Sequence, residues 1–171
     1  MKEEIEFTNQ SVGQDALFNI DFLCSENYHI SFNNRYYYYY VDRSESAVKI
    51  FHENRFEKQL NIARKFEDFI KKVQNNNKNF DYLINKEYFN VYYTTLKNTI
   101  LKEGKLIEKR RNMKKIAQIP EVMAALKSSL FILNIPMKII TLLFLKRQYL
   151  LSIKLFKTYS HLKRILEKNN G

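Results

Sequence analysis

Three glycines and two prolines in 171 residues leave this chain few places to turn sharply. Glycine supplies positive-φ turns and lets a backbone close round a phosphate, so a chain this poor in it argues against a complete nucleotide-binding domain. A mainly helical body is expected instead. Hydrophobic residues at 45% suffice for a core, and charged residues at 27% are too ordinary for global disorder. The length corresponds to one domain or slightly more. A single cysteine, Cys24, excludes a disulfide framework, and three histidines beside it argue against a structural zinc site.

The formal net charge of +11 is unevenly placed. Residues 127–171 carry nine Lys and Arg against one acid, Glu167, whereas residues 1–126 carry 20 basic and 17 acidic groups. The front part therefore reads as an ordinary globular surface, and the tail asks for an anionic partner. The tail is also rich in Leu, Ile and Phe, which suits a membrane surface better than nucleic acid. The uncharged stretches 128–137 and 139–145 fall far short of the ~18–20 residues that a bilayer span needs. The start, Met1 to Glu6, is acidic and has no apolar run, so no secretory leader is expected. The expected place is cytoplasmic, with a peripheral position on the inner face of the membrane open to the tail.

Periodicity predicts a helix over 14–26, short strands over 28–32 and 36–41 separated by Asn33-Asn34, and a long helix from Ser44 or Ser46 to Val73. Five consecutive tyrosines, Tyr36 to Tyr40, suit a pleated strand and suit a helix poorly. Helices over 80–101, to about 118, and over 120–133 follow, the last with Pro120 in its first turn. Asn134 is the expected cap of a final helix running to about Lys168.

Two segments carry a candidate chemistry. Gly13-Gln14-Asp15-Ala16-Leu17-Phe18-Asn19 delivers Asp15 to a helix start, where free backbone N–H groups favour a carboxylate. Such an Asp either ties down its own helix or, facing a cleft, accepts a proton from a sugar hydroxyl. The tyrosine run either lines a cleft for sugar faces or fills the core. His29, His52 and His161 have no metal-ligand spacing.

The Gly13 to Asn19 stretch, then Tyr28 to Val41 with its Asn-containing turn and aromatic strand, then Ser44-Glu45-Ser46, resembles the C-terminal part of family-2 glycosyltransferases, the bacterial enzymes of capsular and other surface polysaccharides. The resemblance covers roughly residues 5–70. It implies that Asp15 is the catalytic base, and that Gln14, Tyr38, Tyr40 and Arg43 contact substrate. Gln14 stands where the family usually has Glu, and Val41 where an Arg often ends the aromatic strand. The chain has no Asp-x-Asp to hold the divalent metal and no βαβ units ahead of Gly13.

The fold expected on this basis is α+β and predominantly helical: a first helix, a two-stranded β element at about 28–41, then a C-terminal helical region, together a partial GT-A fold. Residues 1–73 would be an acceptor-side remnant, 74–133 a helical extension and 134–171 a basic amphipathic helix. The implied function is glycosyl transfer from a nucleotide sugar to a glycan or lipid-linked acceptor, in a truncated or split form inactive alone. No cofactor is expected in this chain, a divalent Mg or Mn belonging with the missing half, and no nucleic-acid partner is expected. The alternative is a non-enzymatic helical module that meets an anionic membrane through its tail. There Leu142, Leu145, Tyr149, Ile153 and Phe156 share a stripe that either faces lipid or packs on the chain's own core.

Overall fold

The computed structural model describes Phe7 and residues 13–24, 50–73 and 80–169. These form α1 (Gln14–Cys24), α2 (Arg55–Val73), α3 (Asp81–Leu101), α4 (Leu106–Ile116), α5 (Pro120–Ser129), α6 (Ile135–Leu145) and α7 (Tyr149–Asn169).

The hub is α3, which packs on α2, α4, α5 and α7. Its buried residues Tyr88, Val91, Tyr92, Thr95, Leu96 and Thr99 recur at the three- and four-residue spacing of one helical face. Two of them are threonines, and both hydroxyls are satisfied within the helix. Thr95 donates to the Val91 carbonyl and Thr99 to the Thr95 carbonyl, each at 2.7 Å. Around this face gather Leu60 and Ala63 of α2, Met113 and Ile116 of α4, Val122 and Leu126 of α5, Phe144 of α6, and Ile153 and Phe156 of α7. The Tyr92 ring lies 4.8 Å from that of Phe144, and Tyr93 meets Phe156 edge-on at 5.7 Å.

Every described helix thus buries its apolar face against another helix, and no strand occurs among the described residues. This overturns the expected α+β class and partial GT-A fold: the described architecture is all-α. The reason lies in the 3.6-residue periodicity that runs through 55–166. It gives each segment at least one stripe to bury, and the neighbouring helices supply a complementary stripe without a sheet. The segment expected to hold two strands, 28–41, lies outside the described residues.

Helix boundaries also differ from expectation, α5 among them, which ends at Ser129 rather than at residue 133. α2 begins at Arg55, about ten residues later than Ser44 or Ser46. Ahead of it, Asn98 of α3 binds the backbone of His52 at both ends: the His52 N–H donates to Oδ1 and the His52 carbonyl accepts from Nδ2, each at 2.9 Å. The Asn98 amide supplies the partners a helix would have given this backbone. Asn54, at φ 56°, then turns the chain into α2.

The last helix is two. Asn134 caps α6 as its sequence suggests, its Oδ1 accepting from the Met137 N–H at 3.1 Å. α6 then stops at Leu145. The Arg147 N–H donates to the Phe144 carbonyl and the Gln148 N–H to the Leu143 carbonyl, which is the Schellman pair of hydrogen bonds. Arg147 occupies the left-handed position of that turn, at φ 62°. α7 leaves antiparallel to α6, and Asn134 Nδ2 donates to the Tyr159 hydroxyl at 3.2 Å across the hairpin.

Candidate functional site

Asp15 sits in the first turn of α1, on an exposed position, with Gln14 half-buried beside it. Gly13 supplies the positive φ of 78° that starts the helix, and its carbonyl accepts from the Leu17 N–H at 3.1 Å. α1 is held to α2 by buried Leu17 and Ile20 and by Lys65, whose ammonium lies 3.0 Å from Asp21. Three hollows among the described residues, beside α4, around His52 and beside Tyr93, do not include Asp15 or Gln14 in their lining. Tyr38, Tyr40 and Arg43 lie outside the described residues, as does His29. His161 is exposed, and no group of His, Cys, Asp and Glu suited to a metal ion occurs among the described residues.

The tail stripe follows the second of its two alternatives in most of its members, Leu142 alone being exposed. Tyr149, Ile153 and Phe156 are core residues, together with Phe144 of α6. They do not face lipid. At about 100° per residue, Leu151, Leu155, Leu162, Ile165 and Leu166 fall within about 100° of arc on another side of α7, and all five are exposed. Lys154, Lys157 and Arg164 form a third stripe, also exposed. α7 therefore has a core face, an outward apolar face and a basic face.

The outward apolar face continues onto α6. Ser152 and Tyr159 mark the side of α7 turned towards α6, and Leu155 adjoins that side. On α6, Ile135, Ile139 and Leu142 point away from the buried Met137, Ile140 and Phe144. The most exposed side chains of the set are Phe131 at 89% and Ile132 at 85%, in the turn leading into α6, and Ile135 at 75%, which opens α6. Lys138 and Lys146 border this surface on α6 and Lys154 borders it on α7. From Lys127 to Arg164 there are eight cations, all exposed, and no carboxylate. No described helix is long and apolar enough to cross a membrane.

Sequence periodicity alone missed the Leu151–Leu155–Leu162 stripe. The available signal was that α7 has more apolar residues than one face can bury.

No family model matches the chain, and neither does any curated protein or any solved structure.

Proposed function

We propose that this chain is a helical module that docks on an anionic lipid surface through the outward face of the α6–α7 hairpin and the turn before it. The observation that carries this reading is one surface on which Phe131, Ile132, Ile135, Ile139, Leu151 and Leu155 are exposed inside a field of exposed cations, Lys138, Lys146 and Lys154 at its border. Apolar side chains entering the headgroup region and Lys or Arg stems reaching back to lipid phosphates are the two halves of interfacial binding. Each basic group near an anionic surface contributes about 1 kcal/mol. A second copy of the chain is a poorer occupant, because it would bring the same positive field against itself. Nucleic acid would satisfy the charge and leave the isoleucines and leucines in water.

Glycosyl transfer, the other expectation, would need an acceptor cleft at Asp15, and the tyrosine segment expected to line it lies outside the described residues.

The test is co-sedimentation with vesicles of phosphatidylcholine, with and without phosphatidylserine, at low and high salt. Binding should require phosphatidylserine, weaken with salt, and fall in the Leu151→Asn, Leu155→Asn double variant. Equal sedimentation of wild type and variant sinks the proposal. So does a concentration-dependent dimer in solution that the double variant abolishes.

A further inference from the structure

A groove of about 740 Å³ opens between α4, the start of α5 and the α6–α7 turn. One stripe of α4 lines it at three- and four-residue spacing: Ile107, Arg110, Arg111 and Lys114. The other side of α4 carries Met113 and Ile116 into the core, so this stripe faces the groove by necessity. Arg147 enters from the α6–α7 turn. Met123 and Tyr149 supply apolar wall.

Three facts set these four cations apart. First, no carboxylate lines the groove. Second, the cations that do stand beside acids lie outside the groove: Lys65 with Asp21, Lys71 with Glu67, Lys102 with Glu108, and Lys115 with Glu57. Glu108, the acid of α4 itself, is drawn to Lys102, 3.3 Å away. The side chains of Arg110, Arg111, Lys114 and Arg147 make no ion pair or hydrogen bond among the described residues. Third, Arg147 holds the left-handed position of a Schellman turn, where glycine is the usual residue. A guanidinium is thus placed at the groove at the expense of backbone strain.

Like charges left to converge around a hollow favour an anion of matching charge. Arginine forks suit phosphate oxygens, and the volume falls within the range of small-molecule sites. We propose that this groove binds a compact ligand carrying two or more phosphate charges on a partly apolar body. The source is either a phosphorylated lipid headgroup or a soluble phosphate compound. The inference goes beyond membrane docking and is tested without a membrane.

The experiment is calorimetric titration of the full chain with inorganic pyrophosphate, with dihexanoyl phosphatidate below its micellar concentration, and with dihexanoyl phosphatidylcholine. Pyrophosphate and the phosphatidate should bind saturably at one site, and the phosphatidylcholine should not. The triple variant Arg110→Gln, Arg111→Gln, Lys114→Gln changes exposed side chains only and should weaken binding by about tenfold or more. Lys154→Gln, Lys157→Gln, Arg164→Gln removes the same charge away from the groove and should stay within about threefold of wild type. Arg147→Gly should weaken binding while the thermal midpoint holds, since the backbone there suits glycine. Ile107→Ser assigns the source: a loss for phosphatidate alone marks a lipid headgroup, and binding unchanged for both marks a soluble phosphate. Absence of saturable binding overturns the proposal, as does equal weakening by the two triple variants, which would reduce the effect to net charge.

Discussion

Phe131 and Ile132 offer the sharpest separation of folding from docking. Both stand in the turn between α5 and α6, 89% and 85% exposed, so neither contributes appreciably to the core. Replacing them together with serine removes almost no burial, and the thermal midpoint should stay put. On a membrane the balance differs. Full burial of a Phe or Ile side chain is worth about 1.5–3 kcal/mol. Insertion to the headgroup boundary realises roughly half of that, or about 1.5–3 kcal/mol for the pair. At 1.4 kcal/mol per decade, the partition coefficient should fall by about 10- to 100-fold. The assay is a vesicle titration followed by sedimentation, with phosphatidylserine content and salt held constant. Circular dichroism run alongside monitors the fold. A variant that partitions like wild type refutes the reasoning, because it would mean that the most exposed apolar residues of the surface never leave water. A variant that unfolds would refute it differently, by showing that these side chains pack on something.

Three further outcomes follow from the core. Tyr92 is fully buried, and its hydroxyl has no hydrogen-bond partner of good geometry, although the Ser152 and Thr141 hydroxyls approach it. Tyr92→Phe should therefore raise unfolding stability by about 1 kcal/mol in a urea titration. Burial pushes the Tyr92 phenol up to about 12, so wild type should also lose stability as the pH rises from the ordinary tyrosine value towards that figure, and the variant should lose less. Glu67 accepts from the Tyr88 hydroxyl and pairs with Lys71 at 2.7 Å. Burial works to raise its carboxyl, but Lys71 and Tyr88 outweigh it and hold the group below its usual range. The folded state then takes up this proton less readily than the unfolded one. Its contribution is present above the unfolded value and fades as the pH falls through the folded value, so Glu67→Gln should flatten the acid limb of the melting curve. Finally, Asn98→Ala removes both hydrogen bonds to the His52 backbone and should cost about 1–2 kcal/mol, with faster hydrogen exchange at the His52 amide as the local readout.

Local chemistry decided the helix starts that the sequence could announce. Asn134 caps α6 because its side chain reaches the Met137 N–H, and Pro120 opens α5 because it lacks the N–H that a first turn cannot use. The scarcity of glycine and proline likewise pointed to a helical body. Such signals act over three or four residues and need no partner. Other features depend on what lies opposite in space. The break at 146–148 carries neither Gly nor Pro, and it exists because Arg147 accepts a left-handed conformation that lets α7 fold back on α6. The late start of α2 rests on Asn98, distant in sequence, holding the backbone of His52. α7 offered two apolar stripes of similar strength, one through Tyr149, Ile153 and Phe156 and one through Leu151, Leu155 and Leu162. Composition cannot choose between them, since burial stabilises either by a similar amount. The rings of Tyr93 and Phe144 meet the first stripe, and the second is left facing out.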